Sequence, residues 1–393
     1  MNTTCLAIIP ARGGSKAIPR KNVHLLAGKP LIAYTIENAR HVQGISRIVV
    51  STDDSEIARI SRELGAEVVM RSAEISGDLS SSESALLHTM EFLEKSEGYK
   101  ADQLVFLQCT SPLTLPEDIE RTIQALNEQN ADCALTVTAF RHFLWEKDET
   151  GQALGVGHDP CRRLMRQEIS PQYLETGAVY VMKTEGFLKA RHRFFGRIAL
   201  HEIPAERSLE IDEPEDLRHA EFYLRERQAD KIEKRLPRPI SAIVFDFDGV
   251  FTDNRVLVNQ DGRESVTCNR ADGLGISLAK RYGVEMLVLS SEKNPVVAAR
   301  CGKLGIPCIS GAPDKLAVLI RWCADRRIDI SKVVYVGNDS NDLACMKAVG
   351  CPVAVRDAEP CAQEASSILL SRAGGQGAVR EIIDLIVRQS EKE

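Results

Sequence analysis

The chain has 393 residues, more than a single hydrophobic core usually supports, so two domains are expected. Its composition, with 44% hydrophobic and 27% charged residues, is that of an ordinary globular protein, and a formal net charge of −6 argues against nucleic acid or an anionic membrane as a partner. No apolar run reaches the length of a membrane span, and the eleven scattered cysteines lack a C-x-x-C pair and suit free thiols. A cytoplasmic protein is expected.

Strand-like and helix-like segments alternate along the chain as far as residue 228. Strands are predicted at 6–9, 47–52, 66–70, 104–108, 133–139, 177–182 and 197–203. Helices are predicted at 31–42, 55–64, 82–96, 116–129 and 214–228. This alternation is typical of an α/β fold with a mostly parallel sheet, whose ligands lie at the carboxyl ends of the strands.

The character of the chain changes at 225–241, where charged residues dominate and Pro237 and Pro239 stiffen a short connector. The predicted organisation is one domain at 1–230, a linker at 231–240 and a second domain at 241–393. A second α/β series follows, with strands at 242–247, 285–290, 307–309, 332–337 and 352–355 and a hairpin at 255–267.

The loop after the first strand, ARGGSKAIPRKN, is dense in glycine and positive charge. Gly13 and Gly14 let the main chain approach a ligand closely. The charge comes from Arg12, Lys16, Arg20 and Lys21. Together these residues predict a site for the polyphosphate of a nucleotide, with a solvated basic loop as the alternative.

Polar residues in the same half accompany this loop. Arg71 precedes SGDLSSSES, whose serines, Ser82 among them, either cap the next helix or face a ligand. Gln108 ends an apolar strand, where a polar side chain favours a site residue. Arg166 belongs to an arginine cluster that begins at Arg162.

Two acids, Glu210 and Asp212, lie two residues apart in SLEIDEPEDL. In an extended segment this spacing puts both carboxylates on the same side. Paired acids opposite a basic phosphate loop are what magnesium-assisted nucleotidyl transfer needs. A helix cap is the competing role for Asp212.

In combination, the segments IIPARGGSKAIPRKN, LQCTSPL, ETGAVY and EIDEPEDL make residues 4–228 resemble the CMP-sialic acid synthetases, which are N-acylneuraminate cytidylyltransferases. The resemblance implies a Rossmann-like nucleotidyltransferase with CTP and a nonulosonic acid as substrates and Mg²⁺ as metal. The triphosphate contacts implied are Arg12, Lys16 and Lys21, and those around cytidine and sugar are Arg71, Ser82, Gln108, Arg166 and Tyr180. Glu210 and Asp212 would hold magnesium, although the family commonly has aspartate at the first position.

Asp246 and Asp248 lie in VFDFDGVFTD, directly after an apolar strand. Alternation along the extended chain puts both on the same side, and Gly249 opens the turn beyond them. Because buried carboxylates without partners are costly, this strand end predicts a bound cation. Polar companions follow later strands at Ser290, Lys315, Asn338, Asp339 and Asp342.

This set resembles the haloacid dehalogenase (HAD) phosphatases, above all the small capless type that acts on octulosonate 8-phosphate and nonulosonate 9-phosphates. The likeness covers 241–389 and implies a capless HAD-type Rossmannoid domain. It makes Asp246 the nucleophile that forms an aspartyl-phosphate, and Asp248 the group that protonates the leaving oxygen and then activates water. Ser290 and Lys315 would hold the phosphoryl oxygens. Glu292 and Lys293 lie beside Ser290, and a further hypothesis is that they recognise the leaving sugar acid.

The same likeness places Mg²⁺ between Asp246, the backbone carbonyl of Asp248 and the cluster of Asn338, Asp339 and Asp342. Asn338 replaces the usual first acid of that cluster. The intervals between the motifs are too short for a cap domain, so another subunit is expected to close the site. The family suggests a tetramer through the HAD domain, with dimers through the transferase domain as a further option. The glycines at 374, 375 and 377 either approach a neighbouring site or form a simple turn.

The two resemblances predict a bifunctional enzyme that removes phosphate from a nonulosonic acid 9-phosphate and activates the free acid with CTP. One alternative is a transferase whose HAD-like half serves in oligomerisation. Another is an enzyme for an eight-carbon or amino-modified acid. A non-enzymatic nucleotide sensor would leave Glu210, Asp212 and Asp246 unexplained.

Overall fold

The computed structural model describes residues 3–15, 17–72, 75–77, 80–162, 165 and 170–391. The chain divides into two compact units, Met1–Arg225 and Glu226–Glu393. Within the described ranges, no helix is both long enough and apolar enough to cross a bilayer.

The elements of the first unit alternate along the chain as predicted. Its strands are β1 (Cys5–Pro10), β2 (Leu25–Leu26), β3 (Lys29–Pro30), β4 (Ile45–Thr52), β5 (Glu67–Met70), β6 (Gln103–Leu107), β7 (Cys133–Phe140), β8 (Leu144–Lys147), β9 (Ala153–Val156), β10 (Gln172–Lys183) and β11 (Ile198–Glu202). Its helices are α1 (Leu31–Arg40), α2 (Ser55–Glu63), α3 (Ser82–Glu97), α4 (Pro116–Glu128), α5 (Thr184–Ala190) and α6 (Pro214–Glu233). The last helix continues beyond this unit into the stretch predicted as a linker.

Seven strands of this unit form one sheet in the order β11-β7-β10-β6-β1-β4-β5. Strand β10 is antiparallel to β6 and β7, and the remaining neighbours are parallel. The prediction of a mostly parallel sheet is therefore confirmed. Because the chain passes from β1 to β4 and β5 and then returns to β6 on the other side, the loops after β1 and β6 flank a crevice where ligands of such sheets bind.

Side-chain caps fix where two helices of this unit, α2 and α3, begin. Asp54 Oδ1 accepts hydrogen bonds from the backbone N–H groups of Glu56 and Ile57, both at 2.9 Å, so α2 begins directly after it. Ser81 Oγ accepts from Ser84 N at 3.2 Å and caps α3. Ser81 therefore caps a helix, which is one of the two roles predicted for the serine run.

The second unit is built on a parallel sheet. Its strands are β12 (Ala242–Phe245), β13 (Leu257–Val258), β14 (Glu264–Ser265), β15 (Glu285–Leu289), β16 (Cys308–Ile309), β17 (Val333–Gly337), β18 (Cys351–Ala354) and β19 (Ile368–Leu369). Its helices are α7 (Arg270–Arg281), α8 (Pro295–Leu304), α9 (Lys315–Arg326), α10 (Leu343–Ala348), α11 (Pro360–Ala365) and α12 (Ala378–Glu391).

The sheet order in this unit is β16-β15-β12-β17-β18-β19. Strand β12 is central, and the chain moves from it to β15 and β16 before crossing to β17 on the other side. The loops after β12 and β17, which carry Asp246 and Asn338, therefore lie side by side at the carboxyl edge. The predicted hairpin is present as the antiparallel pair β13 and β14.

Candidate functional site

The basic loop after β1 is locked by hydrogen bonds to its own backbone. Gly13 N–H donates to Asp53 Oδ1 at 2.9 Å, and Asn22 Nδ2 donates to the Arg12 carbonyl oxygen at 3.0 Å. A Cβ atom on Gly13 would lie 2.9 Å from the Cβ atom of Asp54, closer than side chains approach each other. Glycine at this position thus lets the loop pack directly against the residues that follow β4.

The cations of this loop point in different directions. Lys21 Nζ donates to the Ile211 carbonyl oxygen at 2.7 Å and lies 3.3 Å from Asp212 Oδ1. Arg20 instead pairs with Glu56 in the first turn of α2. Lys21 therefore joins the basic loop to the acidic segment, whereas the charge of Arg20 is used on a neighbouring helix.

Arg71 brings a second positive charge towards the loop. Burial lowers the pKa of Arg71, the nearby charge of Asp53 raises it, and the charge of Arg12 lowers it. Among the described residues, none accepts a hydrogen bond from the buried Nε–H group of Arg71. Arg12 donates from Nη1 to the Gly77 carbonyl oxygen at 3.3 Å. A half-buried donor that no described residue satisfies, next to a second guanidinium, fits an anionic ligand.

The acid pair meets Gln108 at the strand ends. Thr110 Oγ1 donates to Glu210 Oε1 at 3.0 Å. Burial raises the pKa of Glu210, the Thr110 hydrogen bond lowers it, and the charge of Asp212 raises it further. Gln108 Nε2 donates to the Gly177 carbonyl oxygen, and a Cβ atom on Gly177 would lie 2.8 Å from Glu210 Oε2. Gly177, with φ at +69°, is needed for this close approach.

These groups line one cavity of about 310 Å³ at the carboxyl ends of β1 and β6. The predicted site residues on its wall are Arg12, Lys21, Arg71, Ser82, Gln108, Glu210 and Asp212. Sequence reasoning missed Asn22, Phe106 and Thr110, which also line it. Lys16 and Arg166 lie outside the described residues. Tyr180 is buried and stacks on Phe106, with 5.3 Å between ring centroids, so it lies behind the wall.

In the second unit, Asp246 lies at the end of β12 and is 3% exposed. Lys315 Nζ lies 2.8 Å from Asp246 Oδ1 and 2.8 Å from Asp342 Oδ1. Burial raises the pKa of Asp246 and the charge of Asp342 raises it further, while Lys315 lowers it. Burial alone would lower the pKa of Lys315, but its two carboxylate neighbours raise it, so this buried ammonium group stays charged.

Both oxygens of Asp342 take part in polar contacts. Besides Lys315, Oδ1 accepts from the Tyr335 hydroxyl at 2.8 Å, and Oδ2 accepts from Asn338 N at 2.9 Å. Asp339 accepts from the N–H of Ser340, at the start of the short helix after β17. Asp342 thus orients Lys315 and the loop, and the side chain that approaches Asp246 from this cluster is Asn338.

One atom of the Asn338 carboxamide lies 3.3 Å from Asp246 Oδ2 and 3.0 Å from the Asp248 carbonyl oxygen. If this atom is nitrogen, it donates to both oxygens. If it is oxygen, three oxygens converge, which is a donor set that Mg²⁺ accepts. Among the described residues no group of three or more His, Cys, Asp or Glu side chains could hold a metal ion. The donors that fit a cation here are one carboxylate, one carboxamide and one backbone carbonyl.

Asp248 faces a second cavity, of about 240 Å³, which is lined by the hairpin and by the loop after β15. Burial raises the pKa of Asp248, and the charges of Glu292 and Glu264 raise it further. Asn294 Nδ2 donates to Glu264 Oε2 at 2.7 Å and ties the hairpin to that loop. Ser290 is buried, and its Oγ accepts from the Glu292 N–H at 3.0 Å. The cavity offers carboxylates and amides next to Asp248, groups suited to a hydroxylated leaving group.

The glycine-rich segment before α12 packs on the turn after β12. A Cβ atom on Gly374 would lie 2.0 Å from the Gly249 carbonyl oxygen, and one on Gly375 would lie 2.6 Å from Asp253 N. Gly375 N–H donates to the Val250 carbonyl oxygen at 3.0 Å. These glycines are buried within their own unit, so they form a turn that supports the Asp246–Asp248 loop.

Two family models match the chain. The cytidylyltransferase model matches residues 6–234, which is more than half of the chain. The model for haloacid dehalogenase-like hydrolases matches residues 306–382, in the second unit.

Individual relatives match across nearly the whole sequence. The N-acylneuraminate cytidylyltransferase of Oncorhynchus mykiss is 30% identical over 393 residues, which are 98% of this chain and 89% of that protein. N-acylneuraminate cytidylyltransferase A of Danio rerio is 31% identical over 397 residues, with the same two coverages of 98% and 89%. The structure of a 3-deoxy-D-manno-octulosonate 8-phosphate phosphatase from Yersinia pestis is 30% identical, covers 42% of this chain and 88% of its own, and has a TM-score of 0.40.

Proposed function

Because the chain belongs to the cytidylyltransferase family, we propose that its first unit transfers CMP from CTP to a sialic-type nonulosonic acid and releases pyrophosphate. The matches of the two family models confirm both resemblances seen in the sequence. The observation that carries the proposal is the cavity in which Lys21 of the basic loop meets Glu210 and Asp212. The choice of a nonulosonic acid is supported by relatives named N-acylneuraminate cytidylyltransferase that match 98% of the chain.

Glu210 and Asp212 would hold Mg²⁺ in this unit. The two acids fit a cation, because burial and the like charge of Asp212 both raise the pKa of Glu210, and a bound cation relieves both effects. Mg²⁺ bound there would neutralise charge that develops on the phosphates.

In the proposed transfer, the anomeric hydroxyl oxygen of the acid attacks the α-phosphorus of CTP. The bond between the α-phosphorus and the oxygen that bridges to the β-phosphate breaks, and pyrophosphate leaves with the electron pair. The proton of the attacking hydroxyl passes to solvent. Lys21, Arg12 and Arg71 bind the triphosphate and hold it in line with the acid. The Nε–H of Arg71, for which the described part of the chain offers no acceptor, supports this role, since a phosphate oxygen would satisfy it.

The second unit is proposed to dephosphorylate the 9-phosphate of the same acid. Asp246 attacks the phosphorus, the bond to the sugar oxygen breaks, and Asp248 protonates that oxygen as it leaves. Asp248 then takes a proton from the water that attacks the aspartyl-phosphate, which releases phosphate and restores Asp246. Burial and the neighbouring acids raise the pKa of Asp248, which favours the protonated form needed in the first step. Lys315 and Ser290 hold the phosphoryl oxygens.

Asp246, Asn338 and the carbonyl of Asp248 would hold Mg²⁺ in this unit. Bound there, the ion would neutralise the phosphate so that a carboxylate can approach it. Lys315 remains charged and fixed by Asp342, so a positive group is already in place when phosphate enters.

The proposed transferase domain is 1–230, the linker 231–240 and the phosphatase domain 241–393, in a cytoplasmic homo-oligomer, a tetramer through the HAD-like domain. The assembly is supported by the hairpin around β13, whose residues Val256, Leu257 and Val258 are 52%, 66% and 60% exposed. Three consecutive exposed apolar side chains favour burial against another surface.

The proposal is tested by incubating the protein with CTP, Mg²⁺ and a panel of nonulosonic acids, free and 9-phosphorylated. Pyrophosphate, phosphate and CMP-sugar are followed separately. Wild type should release all three products from a 9-phosphate. Asp246→Asn should release none of the phosphate while still forming CMP-sugar from the free acid.

The results divide the candidate functions. Phosphate release that persists in Asp246→Asn would refute the proposed nucleophile. Absence of phosphate release from every 9-phosphate in wild type would leave the HAD-like unit a role in assembly, the alternative that the exposed hairpin favours. CMP transfer only to an eight-carbon acid would show that this acid, rather than a nonulosonic acid, is the substrate.

A further inference from the structure

A cluster of polar and aromatic side chains lies behind the cavity of the first unit, and none of the steps above uses it. Arg193, in the loop after α5, donates from Nε to Glu83 Oε1 at 2.7 Å. Its guanidinium carbon lies 4.9 Å from the ring centroid of Phe106 and 4.7 Å from that of Tyr180. The Tyr180 hydroxyl donates to Glu175. One planar cation therefore connects α3 with two neighbouring strands, β6 and β10.

This cluster is built as an interior ion pair. The side chains of Arg193 and Glu83 are 18% and 11% exposed. Burial would lower the pKa of Arg193, but the hydrogen bond and the charge of Glu83 raise it overall. Burial would raise the pKa of Glu83, but the hydrogen bond from Arg193 lowers it. Both groups are therefore charged, and removing either one would leave the other as a buried charge without its partner.

Two parts of the cavity wall rest directly on the cluster. Phe106 lines the cavity and has the guanidinium over its ring. Glu83 follows Ser82 in the first turn of α3, and both Ser81 and Ser82 line the cavity. Arg193 therefore contacts both the ring that lines the cavity and the residue that follows the serine turn.

We propose that Arg193 is a positioning residue for CTP binding. It holds Phe106 and the serine turn of α3 in the arrangement that forms the cavity wall, and it neutralises Glu83 beside a site for a polyanion. Lysine cannot replace it fully, because only the planar guanidinium covers both rings while it donates to the carboxylate. This inference rests on the proposed function of the first unit.

The test is isothermal titration of CTP with Mg²⁺, which needs no acceptor. Arg193→Gln leaves the charge of Glu83 without its partner and the ring without its cover. CTP should bind it about tenfold more weakly than wild type, which corresponds to about 1.4 kcal/mol. Lys189→Gln is the matched control, because it removes an exposed cation that pairs with Glu185 at 2.6 Å. This control should bind CTP as wild type does.

A second pair of variants separates positioning from simple stability. Arg193→Lys keeps the charge next to Glu83 and should melt close to wild type, yet it should bind CTP several-fold more weakly. Ethylguanidinium should restore part of the affinity of Arg193→Ala, and ethylammonium should not. If Arg193→Gln does not fold, the CTP affinity of Arg193→Lys tests the proposal in its place.

The outcomes are distinct from those of the proposed function. If folded Arg193→Gln and Arg193→Lys both bind CTP within twofold of wild type, Arg193 is not a positioning residue. If wild type binds CTP but transfers CMP to no acid, the proposed acceptor is refuted. The comparison of CTP affinities still tests the positioning role of Arg193 in that case. If wild type binds no CTP, both proposals fall.

Discussion

Replacing Asn338 by aspartate tests how the second unit holds its cation. One carboxamide atom of Asn338 lies 3.3 Å from Asp246 Oδ2, so a carboxylate there would put two negative charges side by side. At an effective dielectric constant of 20, their repulsion is about 5 kcal/mol at this separation. Protonation of one carboxyl limits the cost to about 4 kcal/mol at pH 7 for an ordinary aspartate pKa, and to less for Asp246, whose pKa is already raised. We expect a loss of roughly 1 to 4 kcal/mol without metal.

The assay is thermal melting of the second unit in EDTA and in excess Mg²⁺. A loss of 1 kcal/mol lowers the melting temperature of a unit of this size by about 2–4 °C. Asn338→Asp should therefore melt several degrees below wild type in EDTA, and Mg²⁺ should remove or reverse the difference, because a second carboxylate strengthens the cation site. Asn269→Asp is the control, since it adds the same charge and keeps an oxygen to cap α7.

The reasoning is refuted if Mg²⁺ raises the melting temperature of Asn338→Asp no more than that of wild type. The carboxamide nitrogen of Asn338 would then be the atom that faces Asp246 and Asp248, and the cation would have to bind elsewhere.

Three further predictions follow from other parts of the molecule. Lys21→Ala should abolish CMP transfer and leave phosphate release intact. Arg20→Ala should keep both activities, because the charge of Arg20 pairs with α2. Parallel assays of CMP-sugar and phosphate check both variants. Gly374→Ala should lower the free energy of unfolding by about 1–3 kcal/mol and slow phosphate release, because its Cβ atom would lie 2.0 Å from a backbone carbonyl oxygen. Gly302→Ala is the control, because a Cβ atom there would meet open space, and it should have neither effect. Burial raises the pKa of Asp272 to about 6, so the folded state holds this proton more tightly than the unfolded chain, and about 3 kcal/mol of stability is lost as pH rises from about 4 to beyond 6. Asp272→Asn should therefore melt at a higher temperature than wild type at neutral pH, and this difference in melting temperature should disappear near pH 4. The same difference at both pH values would contradict a raised pKa for Asp272.

Local pattern was enough to predict the framework. Buried strands such as 104–108 appear in the sequence as short continuous apolar runs, because both of their faces are covered. Amphipathic helices such as 55–64 leave a helical period, because each buries one face. The ends of these strands then indicated where polar residues could serve a site, because ligands of such sheets bind at their carboxyl edge. The hairpin of β8 and β9 was missed for the same reason, since seven of its eight residues are exposed and bury no face.

Pattern and motif predicted two α/β units, a resemblance of each to a known family, and the residue types available at each strand end. Which of these residues meet depends on the tertiary fold. It directs Lys21 towards the acids and Arg20 away from them, brings Arg193 onto Glu83 from a distant segment, and turns Asn338 rather than Asp342 towards Asp246. The physical reason is that the direction of a side chain on a loop depends on backbone turns and on partners remote in sequence, which no local period records.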